Sequence, residues 1–197
     1  MRCFPSAASR AATLLKETEG SALLEFAIAL PLLVVLIVGI YDFSGAFNQK
    51  QKLAHAAHVG VILAGAQPTS DIDLSNGNPE SLQPVVTVVF NALAADGVLP
   101  QANVAPTCRA ANATAGHVAG SLLWTYAITG CPDTLNIEIN RGWVPAVGDP
   151  TKSVGTLLIV IYPYQWRFNS AIQLLFPGAS YNATTYLSET AKVHNQL

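Results

Sequence analysis

Between residues 21 and 41 of this 197-residue chain, Glu25 is the one side chain that can bear a charge at neutral pH. Its neighbours are Leu23, Leu24, Phe26, Ala27, Ile28, Ala29 and Leu30. In a membrane-spanning helix an acidic residue costs ~2.5–3.5 kcal/mol at the centre and less near an end. Such a carboxylate needs a partner, and two are at hand on general grounds. The helix macrodipole favours an anion in the first turn, and at headgroup level water solvates it.

A second chemistry-bearing pair is Cys108 and Cys131, 23 positions apart. In an exported domain they can close a disulfide loop worth ~3 kcal/mol. The alternative is two buried thiols acting as small apolar side chains. Cys3 stands in no lipoprotein-type context and is read as a bystander. His55 and His58 lie three apart, but a metal site wants more ligands and none is near in sequence. They read as solvated or interfacial histidines; His117 and His194 stand alone.

Nothing else in the chain suggests catalysis. It carries no glycine-rich phosphate loop, His-Glu-x-x-His, Cys-x-x-Cys or nucleophile elbow. No cofactor or metal is expected, and an enzyme ranks behind the structural and binding readings below. Asn112-Ala113-Thr114 and Asn182-Ala183-Thr184 match the glycosylation sequon by accident on this reading. Trp124, Tyr126, Trp143, Tyr162, Tyr164 and Trp166 could form a sugar- or surface-binding patch, but core packing is the preferred role. The net charge of -2 gives no case for nucleic acid.

The elements that must position these residues begin with the apolar run. Hydrophobic residues make up 51% of the chain and charged residues 11%, against ~25% charged in soluble domains, so a membrane or a large apolar contact is expected. Residues 21–41 suffice to cross a hydrocarbon core of ~30 Å. Pro31 inside the span removes a helix hydrogen bond, which predicts a kink or a tolerated bend. The helical period continues through Phe43, Phe47, Leu53, Ala54, Ala57, Val61 and Leu63. Asp42, Gln49, Lys50, Gln51 and Lys52 mark the exit into water. A helix over residues 21–64 is ~65 Å long and projects from the bilayer; Gly60 suggests loosening and Gly65 termination.

Beyond it, residues 67–84 read as a loop and 84–97 as a short helix with Val86, Val89, Phe90 and Leu93 on one face. Residues 98–116 read as loop and 121–129 as a strand. Leu135, Ile137 and Ile139 alternate with polar neighbours, and residues 141–152 read as a turn region. Residues 154–164 read as a central, doubly covered strand, 168–176 as a short helix or loop, and 181–193 as a closing strand. The fold expected is α+β: a long N-terminal transmembrane helix, then a small, mostly antiparallel β-sheet with one or two short helices.

What precedes the apolar run admits three readings. The segment could be a secretory signal with Ser44-Gly45-Ala46 as its cleavage site, although the run exceeds the usual 7–15 residues. It could be a plain anchor. Or it could be cut ahead of the run, with the helix retained. The string Gly20-Ser21-Ala22-Leu23-Leu24-Glu25-Phe26, with Pro31 six residues after the glutamate, favours the third. It resembles the processing site of type IV pilin-like precursors, and more specifically the N-terminal signature of TadE/TadG-like pseudopilins, or minor pilins, of the tight-adherence (Flp-type) pilus. The resemblance covers residues 20–65. It implies cleavage by a prepilin peptidase after Gly20, processing determinants Gly20, Ser21, Glu25 and Phe26, and a removed cytoplasmic leader, residues 1–20. Residues 21–65 are then the transmembrane and projecting helix and 66–197 the periplasmic or extracellular domain. Partners implied are the inner membrane, other pilin-like subunits and the assembly machinery. Lysines and arginines on both sides of the span leave orientation open; the pilin-like site puts the N-terminus inside.

Cleavage there gives Glu25 its partner. The new Ser21 amine has an ordinary pKa of ~7.7–8.0 and sits about one helical turn, ~6 Å, away. Pairing with the amine of a neighbouring subunit would fix axial register. The rival reading is a single-pass membrane-anchored surface-binding or sensor protein that enters no filament.

Overall fold

The computed structural model describes residues 7–100, 106–144, 154–166, 178 and 184–196, the side chains of 7–20 apart. Among the described residues there are two α-helices, α1 (Ala7–Ala66) and α2 (Gln83–Ala95), and five strands. These are β1 (Thr114–His117), β2 (Leu123–Cys131), β3 (Asp133–Trp143), β4 (Gly155–Gln165) and β5 (Thr184–His194). The protein is α+β, with a long apolar N-terminal helix ahead of an antiparallel sheet. By contacts it divides into two compact units. One is Met1–Ser44 with Trp166–Asn182; the other is Gly45–Gln165 with Ala183–Leu197.

α1 starts ahead of Ser21, where Ala7, Ala8, Ala11 and Ala12 supply high helix propensity. It passes Pro31 without a break in its helical assignment. Every residue from 21 to 34 is exposed. An 18-residue window inside Ser21–Ala66 has mean hydropathy 2.8 and is 0% buried. Leucine, isoleucine and valine held on the outside of a helix imply an apolar surrounding that the chain does not itself supply.

In the second unit the character of α1 changes. Leu53, Ala56, Ala57, Val61 and Ala64 are fully buried, at spacings of three and four that trace one face. Gly60 lies on that face. A Cβ there would press into Val89 Cγ2 and meet Leu158 Cδ1 at 3.1 Å. The glycine is where α2 and β4 approach the helix backbone, and α1 continues past it, so the expected loosening does not occur.

α2 carries Pro84 in its first turn, where the missing N–H costs nothing. Val85, Val86, Val89, Phe90 and Leu93 are buried. It ends in a Schellman arrangement: Gly97, at φ +69, donates to Ala94 O at 3.1 Å, and Val98 donates to Leu93 O at 2.9 Å.

The strands follow one another as an antiparallel meander, β1-β2-β3-β4-β5. Tyr126 pairs with Ile137, and Ile137 with Val160, so side chains of one parity form the inner face. Trp124, Tyr126, Ile128, Leu135, Ile137, Ile139, Leu158 and Val160 are fully buried there, in one cluster with the α1 stripe and α2.

Three sequence expectations are corrected. Arg141, Gly142 and Trp143 do not turn: they complete β3. Residues 114–116, expected as loop, belong to a short strand because Thr114 to His117 pair with Ala127 to Trp124. β4 is internal, but only one of its faces is buried; Leu157, Ile159 and Ile161 on the other remain partly exposed. The rest of the turn read over residues 141–152, from 145 on, and the helix or loop read over 168–176 lie wholly outside the described residues.

Candidate functional site

The N-terminal candidate lies on α1. The Gly20–Ser21 bond is inside the helix rather than in an extended linker. Ser21, Glu25 and Phe26 are exposed, and Phe26 is 61% accessible. Ala22, Glu25, Phe26 and Ala29 line a shallow, open recess of about 290 Å³. Their spacing of three and four puts them on one helix face, so the carboxylate shares an apolar surface with a phenyl ring and two methyl groups. That surface suits packing against another apolar helix. Glu25 can accept hydrogen bonds there, and an α-amino group created at Ser21 would stand one turn away. Pro31 lies six residues beyond Glu25, between exposed Leu30 and Leu32.

Where the helix leaves its apolar run, burial begins. Asp42 is 2% exposed although Tyr41 and Phe43 on either side are 63% and 69% exposed. Asp42, read from the sequence as one of the residues at the exit into water, is itself covered by protein. Phe43 meets the Trp166 ring edge-on, centroids 5.3 Å apart, in the geometry ring quadrupoles favour.

In the second unit Cys108 and Cys131 are brought together, Cα atoms 4.7 Å apart and sulfurs bonded. Both are fully buried. The link ties the loop before β1 to the end of β2, and Tyr162 donates to Cys131 O at 2.8 Å. Burial pushes the Tyr162 phenol up, with the charge of Asp133 adding to it.

The residue that sequence reading missed is Arg141, 2% exposed. Its Nη2 donates to Gln67 O at 3.0 Å, one residue past the end of α1, and its Nη1 to Thr156 Oγ1 at 3.3 Å. Thr156 in turn donates to Asn195 Oδ1, while Gln196 donates its N–H to Gly65 O at 3.1 Å. A cation at a helix C-terminus complements the macrodipole. Burial pulls the guanidinium pKa down, and the charge of Asp71 opposes that shift. The signal existed in parity: Arg141 continues the inward series Leu135, Ile137, Ile139.

The aromatic set divides. Trp124, Tyr126, Tyr162 and Tyr164 are core, Trp143 carries Lys192 Nζ 4.9 Å above its ring, and Trp166 meets Phe43. The structure does not gather them into one patch. His55 Nδ1 lies 3.2 Å from Asp96 Oδ2, and His117 stacks on Trp124. Among the described residues no group of three metal-ligating side chains occurs.

No curated protein and no solved structure matches the chain. Residues 20–61, which carry Gly20, Glu25, Phe26 and Pro31, match the family described as TadE-like protein, in agreement with the resemblance drawn from those residues.

Proposed function

We propose that the chain is a pilin-like structural or assembly protein of a tight-adherence pilus. A prepilin peptidase cuts after Gly20, residues 1–20 are lost, and the protein stays in the inner membrane through α1. Its N-terminus faces the cytoplasm and residues 66–197 the periplasm, where Cys108 and Cys131 oxidise. The carrying observation is Gly20, Glu25 and Phe26 at the head of an unburied apolar helix that runs on to become part of a folded domain's core. A subunit of this design presents helix to its neighbours and keeps its sheet domain outside. Glu25 pairs with the Ser21 amine of a neighbouring subunit and sets the register. No catalytic role is assigned to any residue.

Because α1 includes the Gly20–Ser21 bond, cutting requires α1 to open there, since a helical carbonyl is tied to the N–H four residues on. N-terminal sequencing of the membrane-extracted protein tests the reading. A start at Ser21 is expected; an intact Met1, or a start near Phe47, overturns it. Co-purification with sheared pili separates a filament component from an anchored binding protein.

A further inference from the structure

We infer that Trp166, 123 residues beyond Phe43 in sequence, is a second point of membrane contact, lying in the lipid–water interface beside Tyr41 and Phe43. The inference rests on residues 21–41 being the span. Twenty residues after Ser21 the helix has risen ~30 Å, the thickness of the hydrocarbon core, so Tyr41 stands at its edge. Phe43 lies ~3 Å further along, inside an interfacial layer ~5–8 Å deep. Lys50 is ~13 Å past Tyr41 and outside that layer.

Tyr41 and Phe43 are exposed and continue the bare apolar surface of Ile37 and Ile40. Trp166, whose ring lies 5.3 Å from that of Phe43, is held near the same depth. Tyrosine and tryptophan, apolar rings with one polar edge, are the side chains this layer favours. Asp42, buried although its two sequence neighbours are exposed, keeps its carboxylate off the lipid. The occupant of this aromatic surface is therefore a phospholipid bilayer at headgroup level.

The test uses the full chain in phosphatidylcholine vesicles whose acyl chains carry bromine near the headgroup. Trp143→Phe removes the tryptophan on the outer sheet face, and Trp124 is fully buried. Bromolipid should quench the emission of Trp143→Phe. Adding Trp166→Phe should abolish that quenching, and adding Phe43→Trp to the double variant should restore it. Quenching that survives loss of Trp166 overturns the proposal, as does a Trp166 reached by aqueous iodide but not by bromolipid. Alkaline carbonate extraction of the same vesicles tests the span. Protein released into the wash overturns the span and this inference together; protein retained with Trp166 unquenched by lipid overturns the inference alone.

Discussion

Arg141 of β3 donates from Nη2 to the carbonyl of Gln67, 3.0 Å away, and so fastens the sheet to the end of α1. The two residues are 74 positions apart. The same guanidinium reaches Thr156 on β4, which reaches Asn195 beyond β5. One buried cation thus gathers the end of the long helix, two strands and the C-terminal segment.

Arg141→Met tests that role. It keeps much of the side chain's length and removes the donors, leaving Gln67 O and Thr156 Oγ1 short of a partner in the interior. A buried polar group left unsatisfied costs ~1–3 kcal/mol, so denaturant unfolding of the full chain in detergent should show a loss of about 2 kcal/mol. Arg141→Lys should recover only part, because one ammonium cannot span both acceptors as a fork does. Unchanged stability in Arg141→Met would show the network to be incidental.

The periodic features were legible in the sequence because they are local. The stripe of Leu53, Ala57 and Val61 and the alternation of Leu135, Ile137 and Ile139 record which face is buried. β1 was not legible, since Thr-Ala-Gly-His has little strand propensity and exists by pairing with β2. Arg141 heads a stretch that reads as turn from Pro145, Gly148 and Asp149-Pro150; only its distant acceptors explain its burial. Gly60 looked like a weak point because glycine lowers helix propensity, whereas its cause is a neighbour 29 residues away. Glu25 stood out from sequence alone, yet its proposed partner is created by cleavage and so appears nowhere in the intact chain.

Gly60→Ala separates propensity from packing. At an open helical site glycine to alanine stabilises by ~0.5–1 kcal/mol. At Gly60 the new methyl would press on Val89 and Leu158, and overpacking of this kind costs ~1–3 kcal/mol. The substitution should destabilise the domain by about 1 kcal/mol or more. Gly39→Ala is the control: a Cβ there meets nothing within 4 Å, and domain stability should not fall. Equal effects at the two positions would contradict the packing account.

Tyr126 predicts an alkaline limit. Its side chain is fully buried, and its hydroxyl has no hydrogen-bond partner among the described residues. Burial, with the charge of Asp71 adding to it, pushes the phenol up to about 12. In the unfolded chain it titrates near ~10. The folded state therefore binds the proton more tightly, and its stability is undiminished below pH ~10 and lost as pH rises towards ~12. The loss is on the order of 2–3 kcal/mol. Tyr126→Phe should flatten the unfolding profile over that range and cost little at pH 7, because no made hydrogen bond is removed. An unaltered alkaline profile in the variant would assign the effect elsewhere.

The disulfide predicts a redox dependence. Replacing Cys108 and Cys131 by alanine removes a constraint on a loop worth ~3 kcal/mol in the chain-entropy account. The doubly substituted chain should lose about that much, and dithiothreitol should destabilise the parent but leave the variant unaffected. If dithiothreitol shifts both alike, the bond contributes nothing in solution. Ellman titration of the denatured parent should find one free thiol where residues 1–20 are attached and none in a chain that begins at Ser21, since Cys3 lies ahead of that bond.

Glu25→Gln divides insertion from assembly, because the two should move in opposite directions. Neutralising the side chain lowers the cost of placing it in lipid, so the membrane-bound fraction should be equal or higher. If the carboxylate pairs with a neighbouring Ser21 amine, the same change removes one ionic contact per subunit interface. Glutamine can still donate and accept hydrogen bonds, so shape and polarity are nearly kept and only the charge is lost. Weakening each subunit contact roughly tenfold, the scale of one favourable pair, should be multiplied along a filament into a large drop in pili on sheared cells. Cleavage after Gly20 must be checked in the same cells by N-terminal sequencing, since a chain left uncut has no Ser21 amine to pair. Normal piliation with a correctly processed Glu25→Gln subunit would remove the pairing role and leave Glu25 as a residue read by the peptidase or solvated at the headgroups.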